Sequence, residues 1–104
     1  MAKFAFIYHG GSAPSSPEEG EKIMAAWGAW MGLIGEKLVD GGNPFGQSQT
    51  VNSDGSVASD GGSNPASGYS LVDVADANAA AEIAKTCPIL EAGGSVEICP
   101  AMEM

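Results

Sequence analysis

Near the start of the chain, apolar side chains occupy both faces of one short segment, residues 3–8. Alternate residues of a strand point to opposite faces of a sheet, so this segment presents two sets of side chains. The two sets are Phe4, Phe6 and Tyr8 on one face, and Ala5, Ile7 and His9 on the other. A strand with one face in water alternates apolar with polar residues. The pattern therefore predicts a strand that is covered on both faces.

The next segment has a helix start followed by a helical stripe of apolar residues. Ser16 is a suitable N-cap and Pro17 suits the first helical position, and two acidic residues follow at the positive end of the helix dipole. At 100° per residue, the stripe occupies one face of the helix. Its members are Ile23, Trp27, Trp30, Ile34 and Leu38, with Met24 and Met31 beside them. We expect the helix to run to about Val39, because the residues from Asp40 to Pro44 favour a turn.

Three glycines, Gly28, Gly32 and Gly35, lie inside this predicted helix, on one edge of its apolar stripe. Each costs about 1 kcal/mol relative to alanine in an exposed helix. Their clustering indicates that something approaches the helix closely on this edge. We expect that neighbour to be the sheet, packed tightly against the helix, and a second subunit or a ligand is the alternative.

The rest of the chain predicts four more strands and a second helix. Residues 46–52 and 56–59 form two short strands around Asp54-Gly55, a dipeptide typical of a tight hairpin turn. Residues 69–74 form a strand that is again apolar on both faces. Asp76 caps a helix over residues 77–86, which Pro88 ends, and residues 95–99 form the last strand.

This order of elements, β-α-β-β-(β)-α-β, is typical of an α+β ferredoxin-like sandwich, an antiparallel sheet with two helices on one face. The prediction is a single domain over residues 1–104. Two helices cover only one face of the sheet, whereas the first strand and the strand at residues 69–74 are apolar on both. We expect the same face of a second copy to cover the other, which gives a symmetric homodimer.

Two C-terminal segments, Gly68–Pro88 and Gly93–Pro100, resemble the YCII-related family. The start of the chain, Phe4–Tyr8, and the loop Ser59-Asp60-Gly61 are similar to its DGPF-type branch. The resemblance spans nearly the whole chain and is specific mainly in the last third. It implies a dimeric ferredoxin-like fold, the dimeric α/β-barrel, and since most members have no established activity it implies fold more than function.

The chain departs from this family at the residues linked to catalysis. The YciI-type branch pairs a histidine of the first helix with an aspartate just before the proline that ends the second helix. Trp30 and Cys87 stand at those two positions here. The DGPF-type loop continues with Pro-Phe, whereas Asp60-Gly61 is followed by Gly62-Ser63. Neither catalytic residue carries over.

The net charge of −9, from thirteen acidic residues and four lysines, argues against nucleic acid and against an anionic membrane surface as partners. Residues 1–9 lack the apolar run of a signal peptide, and no apolar stretch approaches about 20 residues. We therefore expect a cytoplasmic protein in which Cys87 and Cys99 are free thiols. Neither cysteine has a zinc-binding spacing, and the chain predicts no metal site and no cofactor.

Two hypotheses of function follow from the remaining side chains. The first is small-molecule binding in a pocket between sheet and helices. The residues expected around that pocket are Tyr8, His9, Trp27, Trp30 and Tyr69. The alternative is a lyase- or isomerase-like enzyme in which His9 and Asp60 transfer protons. Simpler roles exist for both: a local hydrogen bond for His9 and turn formation for Asp60. A third possibility, a partner-binding module, would leave no concave pocket.

Overall fold

The computed structural model describes residues 2–103, which form a four-stranded sheet, two helices and a separate small hairpin. The elements are β1 Ala2–His9, α1 Pro17–Ile34, β2 Leu38–Asp40, β3 Thr50–Val51, β4 Val57–Ala58, β5 Ala66–Val74, α2 Ala77–Ala84 and β6 Ser95–Pro100. A single 3-10 turn follows each helix, at Gly35–Lys37 and at Pro88–Leu90.

The strands of the main sheet lie in the order β2-β5-β1-β6, and every neighbouring pair is antiparallel. The two long strands β1 and β5 form the centre, and the shorter strands β2 and β6 form the edges. The predicted α+β class is confirmed, and this strand order is compatible with a ferredoxin-like sandwich.

One face of the sheet forms the core, and both helices pack against it. Phe6 and Val72 are fully buried there, and the indole of Trp30 stacks over the Phe6 ring with 6.3 Å between centroids. Ala80 of α2 is also fully buried, so the second helix lies close to the sheet. The Trp30 indole N–H donates to Thr86 Oγ1 at 3.0 Å, which joins α1 to the end of α2.

The first helix ends earlier than predicted, at Ile34 instead of about Val39. Gly35 has a φ of 63°, a conformation that favours glycine, and its N–H donates to the carbonyl of Met31. Leu38, which the apolar stripe assigned to the helix, instead begins β2 and pairs with Val72. An apolar residue facing the core fits either element, so periodicity alone cannot mark this transition.

The predicted hairpin is confirmed, but its strands are shorter than expected and lie outside the main sheet. Thr50 pairs with Ala58 in a separate two-stranded ladder. Asp54 forms the turn, because its Oδ1 accepts hydrogen bonds from the Ser56 hydroxyl and N–H, and these bonds lower the pKa of the carboxyl group. The fourth strand of the main sheet is therefore β2.

Within residues 2–103, no helix packs against the other face of the sheet, which we call the open face. Its side chains on β1 and β5 are half-exposed: Ala5, Ile7, Tyr69, Leu71 and Asp73. One oxygen, Asp73 Oδ1, is buried there without a hydrogen-bond partner among residues 2–103. Within the chain, the predicted covering is therefore present on the core face only.

Candidate functional site

A cleft of about 520 Å³ lies between the middle of α1, the loop after β2 and the start of β5. Three of the residues predicted around a ligand, Tyr8, Trp27 and Tyr69, line this cleft. The remaining lining residues are Met24, Gly28, Met31, Gly41, Gly42, Asn43, Pro44, Ser67, Gly68 and Ile89. Its walls are mostly apolar, and its volume is typical of a small-molecule site. We call it the Trp27 cleft.

The two tryptophans of α1 have different positions relative to this cleft. The rings of Trp27 and Tyr8 meet edge to face, with 5.0 Å between centroids and 82° between planes. Trp30 lies behind Trp27 in the same geometry, at 5.6 Å and 89°. Trp30 is only 3% exposed and does not line the cleft, so it is a core residue that supports the Trp27 ring.

The hydroxyl of Tyr8 is held in a buried chain of hydrogen bonds. It donates to Ser70 Oγ at 2.7 Å, and the Ser70 hydroxyl donates in turn to the carbonyl of Gly41 at 2.7 Å. Burial raises the pKa of Tyr8 to about 12, and the bond to Ser70 opposes this rise only in part. The Tyr8 ring is therefore a fixed, neutral part of the wall at physiological pH.

The glycines of α1 do not have the close neighbour that the sequence predicted. A Cβ atom built on Gly28, Gly32 or Gly35 would meet no atom within 4 Å. Tight packing of the helix on the sheet therefore does not explain them, and this prediction is wrong. Gly35 is explained by its positive φ at the helix end, whereas Gly28 opens onto the Trp27 cleft. A larger side chain at position 28 would occupy space that the cleft now provides.

His9 lies outside the Trp27 cleft and is bound by acceptors at both ring nitrogens. Nε2 lies 2.8 Å from Glu97 Oε1, and Nδ1 lies 3.1 Å from the carbonyl oxygen of Asn64. Both contacts are hydrogen bonds only when both nitrogens carry protons, which requires the charged ring. Accordingly, the bond to Glu97 raises the pKa of His9, and the bond to His9 lowers the pKa of Glu97. A general base needs a free lone pair, which this arrangement disfavours.

Asp60 lines a different cleft, of about 440 Å³, beside the loop of residues 59–65. Its Oδ1 accepts a hydrogen bond from the N–H of Gly62 at 3.1 Å, and its carbonyl accepts one from Thr50 Oγ1 at 2.7 Å. The carboxylate thus stabilises its own turn. No hydrogen bond among residues 2–103 joins Asp60 to His9, and His9 lines neither this cleft nor the Trp27 cleft.

The two cysteines are free thiols in different surroundings. Cys87 is 2% exposed, and burial raises its pKa to about 11, so it is a neutral thiol that packs in the core. Cys99 lies on β6, and burial and the neighbouring Glu97 raise its pKa as well. Between residues 2 and 103, no three His, Cys, Asp or Glu side chains are grouped as a metal would require.

Several residues that shape the cleft were not identified from the sequence. Ser70 is the one polar side chain among the buried residues of β5, and its alternation with Val72 and Val74 places it on the core face. Because alternate residues of a strand share a face, the sequence could have placed Ser70 beside Val72 and Val74. The loop residues Gly41 to Pro44 gave no such signal, because they reach the cleft only through the pairing of β2 with β5.

Outside the cleft, Glu97 meets His9 through the β1–β6 register, which the sequence does not specify.

No protein-family model, no curated protein and no solved structure matches this chain. In the part of the chain that the structure describes, no helix combines the length and the apolar character needed to span a bilayer.

Proposed function

We propose that this protein binds a small, largely apolar molecule in the Trp27 cleft. The observation that carries the proposal is the helical position Gly28, where a residue that is unfavourable in a helix borders open space within an apolar, aromatic-walled cleft. No contact within residues 2–103 requires a glycine there, whereas a ligand in the cleft does.

The proposal also takes the chain as a cytoplasmic homodimer related to the YCII-related family. The strand order is compatible with the fold that this resemblance implies. The half-exposed apolar side chains of the open face, and the unsatisfied Asp73 Oδ1 among them, support a second copy as the covering partner. The free thiols of Cys87 and Cys99 are consistent with a reducing compartment.

Binding, and not proton transfer, is the function that the geometry favours. The two residues of the alternative enzyme hypothesis, His9 and Asp60, have separate hydrogen-bond partners, and His9 does not line the cleft that Asp60 lines. Tyr8, whose ring meets that of Trp27 edge to face, is held neutral by burial. We therefore propose no reaction for the Trp27 cleft.

The test compares Gly28→Leu with Gly32→Leu, a matched control. Both positions lie inside α1 with no atom within 4 Å of a built Cβ, but only Gly28 lines the Trp27 cleft. Each variant removes a helix glycine, so each should be more stable than the native chain by about 0.5–1 kcal/mol. The probe is the neutral compound 2-naphthylmethanol, followed by NMR of the methionine methyl groups.

We expect the probe to shift the methyl resonances of Met24 and Met31, which line the cleft, and not that of Met102, which is 81% exposed in the C-terminal tail. Gly28→Leu should weaken binding at least about tenfold, the equivalent of about 1.4 kcal/mol, whereas Gly32→Leu should leave it unchanged. Equal affinities in both variants, or no shift at Met24 and Met31 in the native chain, would contradict the proposal.

A further inference from the structure

A third cleft, of about 780 Å³, opens directly beside the Trp27 cleft. The two clefts share four lining residues, Trp27, Pro44, Ser67 and Ile89, so they form one continuous depression along α1. We call the second part the Glu19 cleft. It extends from the Trp27 ring towards the N-terminal end of α1 and the segment of residues 88–92.

The two parts of this depression differ in charge. Among the residues that the structure describes, no charged one lines the Trp27 cleft. The Glu19 cleft has three, Glu19 and Glu91 against Lys22, which leaves it with one net negative charge. The adjoining cleft beside the loop of residues 59–65 shares Gly10, Phe45 and Ser67 with the Glu19 cleft and adds the carboxylate of Asp60.

Glu19 is held at the edge of this depression by local hydrogen bonds. Its N–H donates to Ser16 Oγ at 3.1 Å, and its carboxylate accepts a hydrogen bond from the Ser15 hydroxyl. These bonds keep the carboxylate in the first turn of α1, two helical turns before Trp27. The acidic end and the aromatic wall therefore lie on the same helix, in fixed relation to each other.

The net charge of the whole protein, like that of the Glu19 cleft, is negative. The whole chain has a net charge of −9 with only four lysines, so the field around the protein favours cations and repels anions. Trp27 is half-buried and forms part of both clefts. An indole face is the best aromatic site for a cation, because its π system is negative.

Resting on the proposed function, we infer that the ligand of this depression is an amphiphilic cation. Its apolar ring or chain occupies the Trp27 cleft, and its ammonium group lies on the Glu19 side of the Trp27 ring. Lys22 and the positive N-terminal end of the α1 dipole would attract an anion instead. In this inference, two carboxylates in the same cleft and the net charge of the molecule outweigh both.

The test uses three naphthyl probes of nearly equal size and different charge: 2-naphthylmethylamine, 2-naphthylmethanol and 2-naphthylacetate. Affinities are measured at pH 7 from the methyl resonances of Met24 and Met31. The ammonium probe should bind several-fold more tightly than the alcohol, and the carboxylate several-fold more weakly. Because exposed charges are screened by salt, this preference should shrink when the ionic strength rises from about 0.01 to 1 M.

Two variants test whether Glu19 and Glu91 cause the tighter binding of the ammonium probe. Glu19→Gln and Glu91→Gln should each reduce the affinity for the ammonium probe and leave that for the alcohol unchanged. Glu36→Gln removes an acidic residue that lines neither cleft, so it is the matched control for net charge. Glutamine at position 19 is also suitable for a helix N-terminus, which keeps α1 intact.

The outcomes separate this inference from the proposed function. If the alcohol binds and the ammonium probe binds no more tightly, the inference of a cationic ligand is overturned. The proposal of an apolar binding site then still stands. Tighter binding of the carboxylate, lost in Lys22→Met, would identify an anionic ligand and overturn the inference of a cationic ligand as well. Failure of all three probes to shift Met24 and Met31 would contradict the proposed function itself.

Discussion

At the scale of single residues, the ion pair of His9 and Glu97 gives the clearest dependence on pH. The two side chains meet on the open face, at 2.8 Å, with the His9 side chain only 12% exposed. The pKa of His9 is raised, so its contribution to stability is complete below the unfolded value of 6.5 and is lost as the pH rises through the raised value. The pKa of Glu97 is lowered, so its contribution is present above 4.5 and is lost as the pH falls through the lowered value.

We therefore expect the pair to stabilise the fold most between pH 4.5 and 6.5, and its contribution to weaken as the pH rises through the raised pKa of His9. His9 is the only histidine of the chain, so one NMR titration of its ring measures its pKa directly. In Glu97→Gln this pKa should fall towards 6.5, since Glu97 is the largest cause of the rise. Glu91→Gln is the control and should leave it unchanged. Identical titration midpoints in the native chain and in Glu97→Gln would refute the pairing.

At the scale of elements, the loop after β2 determines one wall of the Trp27 cleft. Gly42 has a φ of 74°, and its N–H donates to Asp40 Oδ1 at 2.8 Å. A Cβ atom at this position would lie 1.7 Å from the carbonyl oxygen of Tyr69. Only glycine allows both the positive φ and the close approach to β5. The backbone of this loop can therefore border the cleft directly.

Gly42→Ala should destabilise the protein much more than Gly55→Ala, its matched control. Both glycines have a positive φ, but a Cβ on Gly55 would meet no atom within 4 Å. In the control, the free energy of unfolding should fall by about 1–2 kcal/mol, the cost of the left-handed conformation for alanine. Gly42→Ala adds a steric clash with β5, so its free energy of unfolding should fall by about 3 kcal/mol or more. Urea unfolding measures both values, and equal losses would show that the contact with Tyr69 is unimportant.

At the scale of the whole molecule, the protein is less compact than a domain of its length usually is. Its radius of gyration is 14.9 Å, whereas about 13 Å is typical for a compact domain of about 100 residues. A sheet with helices on only one face has this flattened form. The proposed homodimer would bury the open face and give each sheet a second layer.

We expect sedimentation of the native chain to give the mass of a dimer. Leu71→Glu places a charge in the middle of the open face and should dissociate the dimer to monomers, because a buried unpaired charge is costly. Leu33→Glu is the control, since Leu33 is 85% exposed on α1, away from the sheet. A monomeric native protein would contradict the dimer, and dissociation by Leu33→Glu alone would place the interface on α1.

The sequence by itself determined the elements with strong local signals. Ser16 and Asp76 start the two helices, and the Ser16 and Asp76 side chains accept the expected N-cap hydrogen bonds. The alternation of residues in β1 and β5 divided the side chains of each strand into two faces. Both faces are apolar in sequence, so only the structure shows that the face of Phe4, Phe6 and Tyr8 enters the core. Hydrophobic periodicity and helix N-capping depend on residues that are close together in the chain, so both can be derived from the sequence. They were sufficient for the α+β class. Of the five residues predicted around a ligand, Tyr8, Trp27 and Tyr69 line one cleft, whereas His9 and Trp30 do not.

Only the tertiary structure decided which distant residues meet. His9 and Glu97 are 88 residues apart, and the register of β1 on β6 brings them together. Leu38 satisfies a helical and a strand pattern equally, so its pairing with Val72 depended on the position of β5. Gly28 borders a cleft instead of the sheet, and the loop after β2 lines the other side of that cleft. These features follow from register and from the packing of separate elements, which no local pattern encodes.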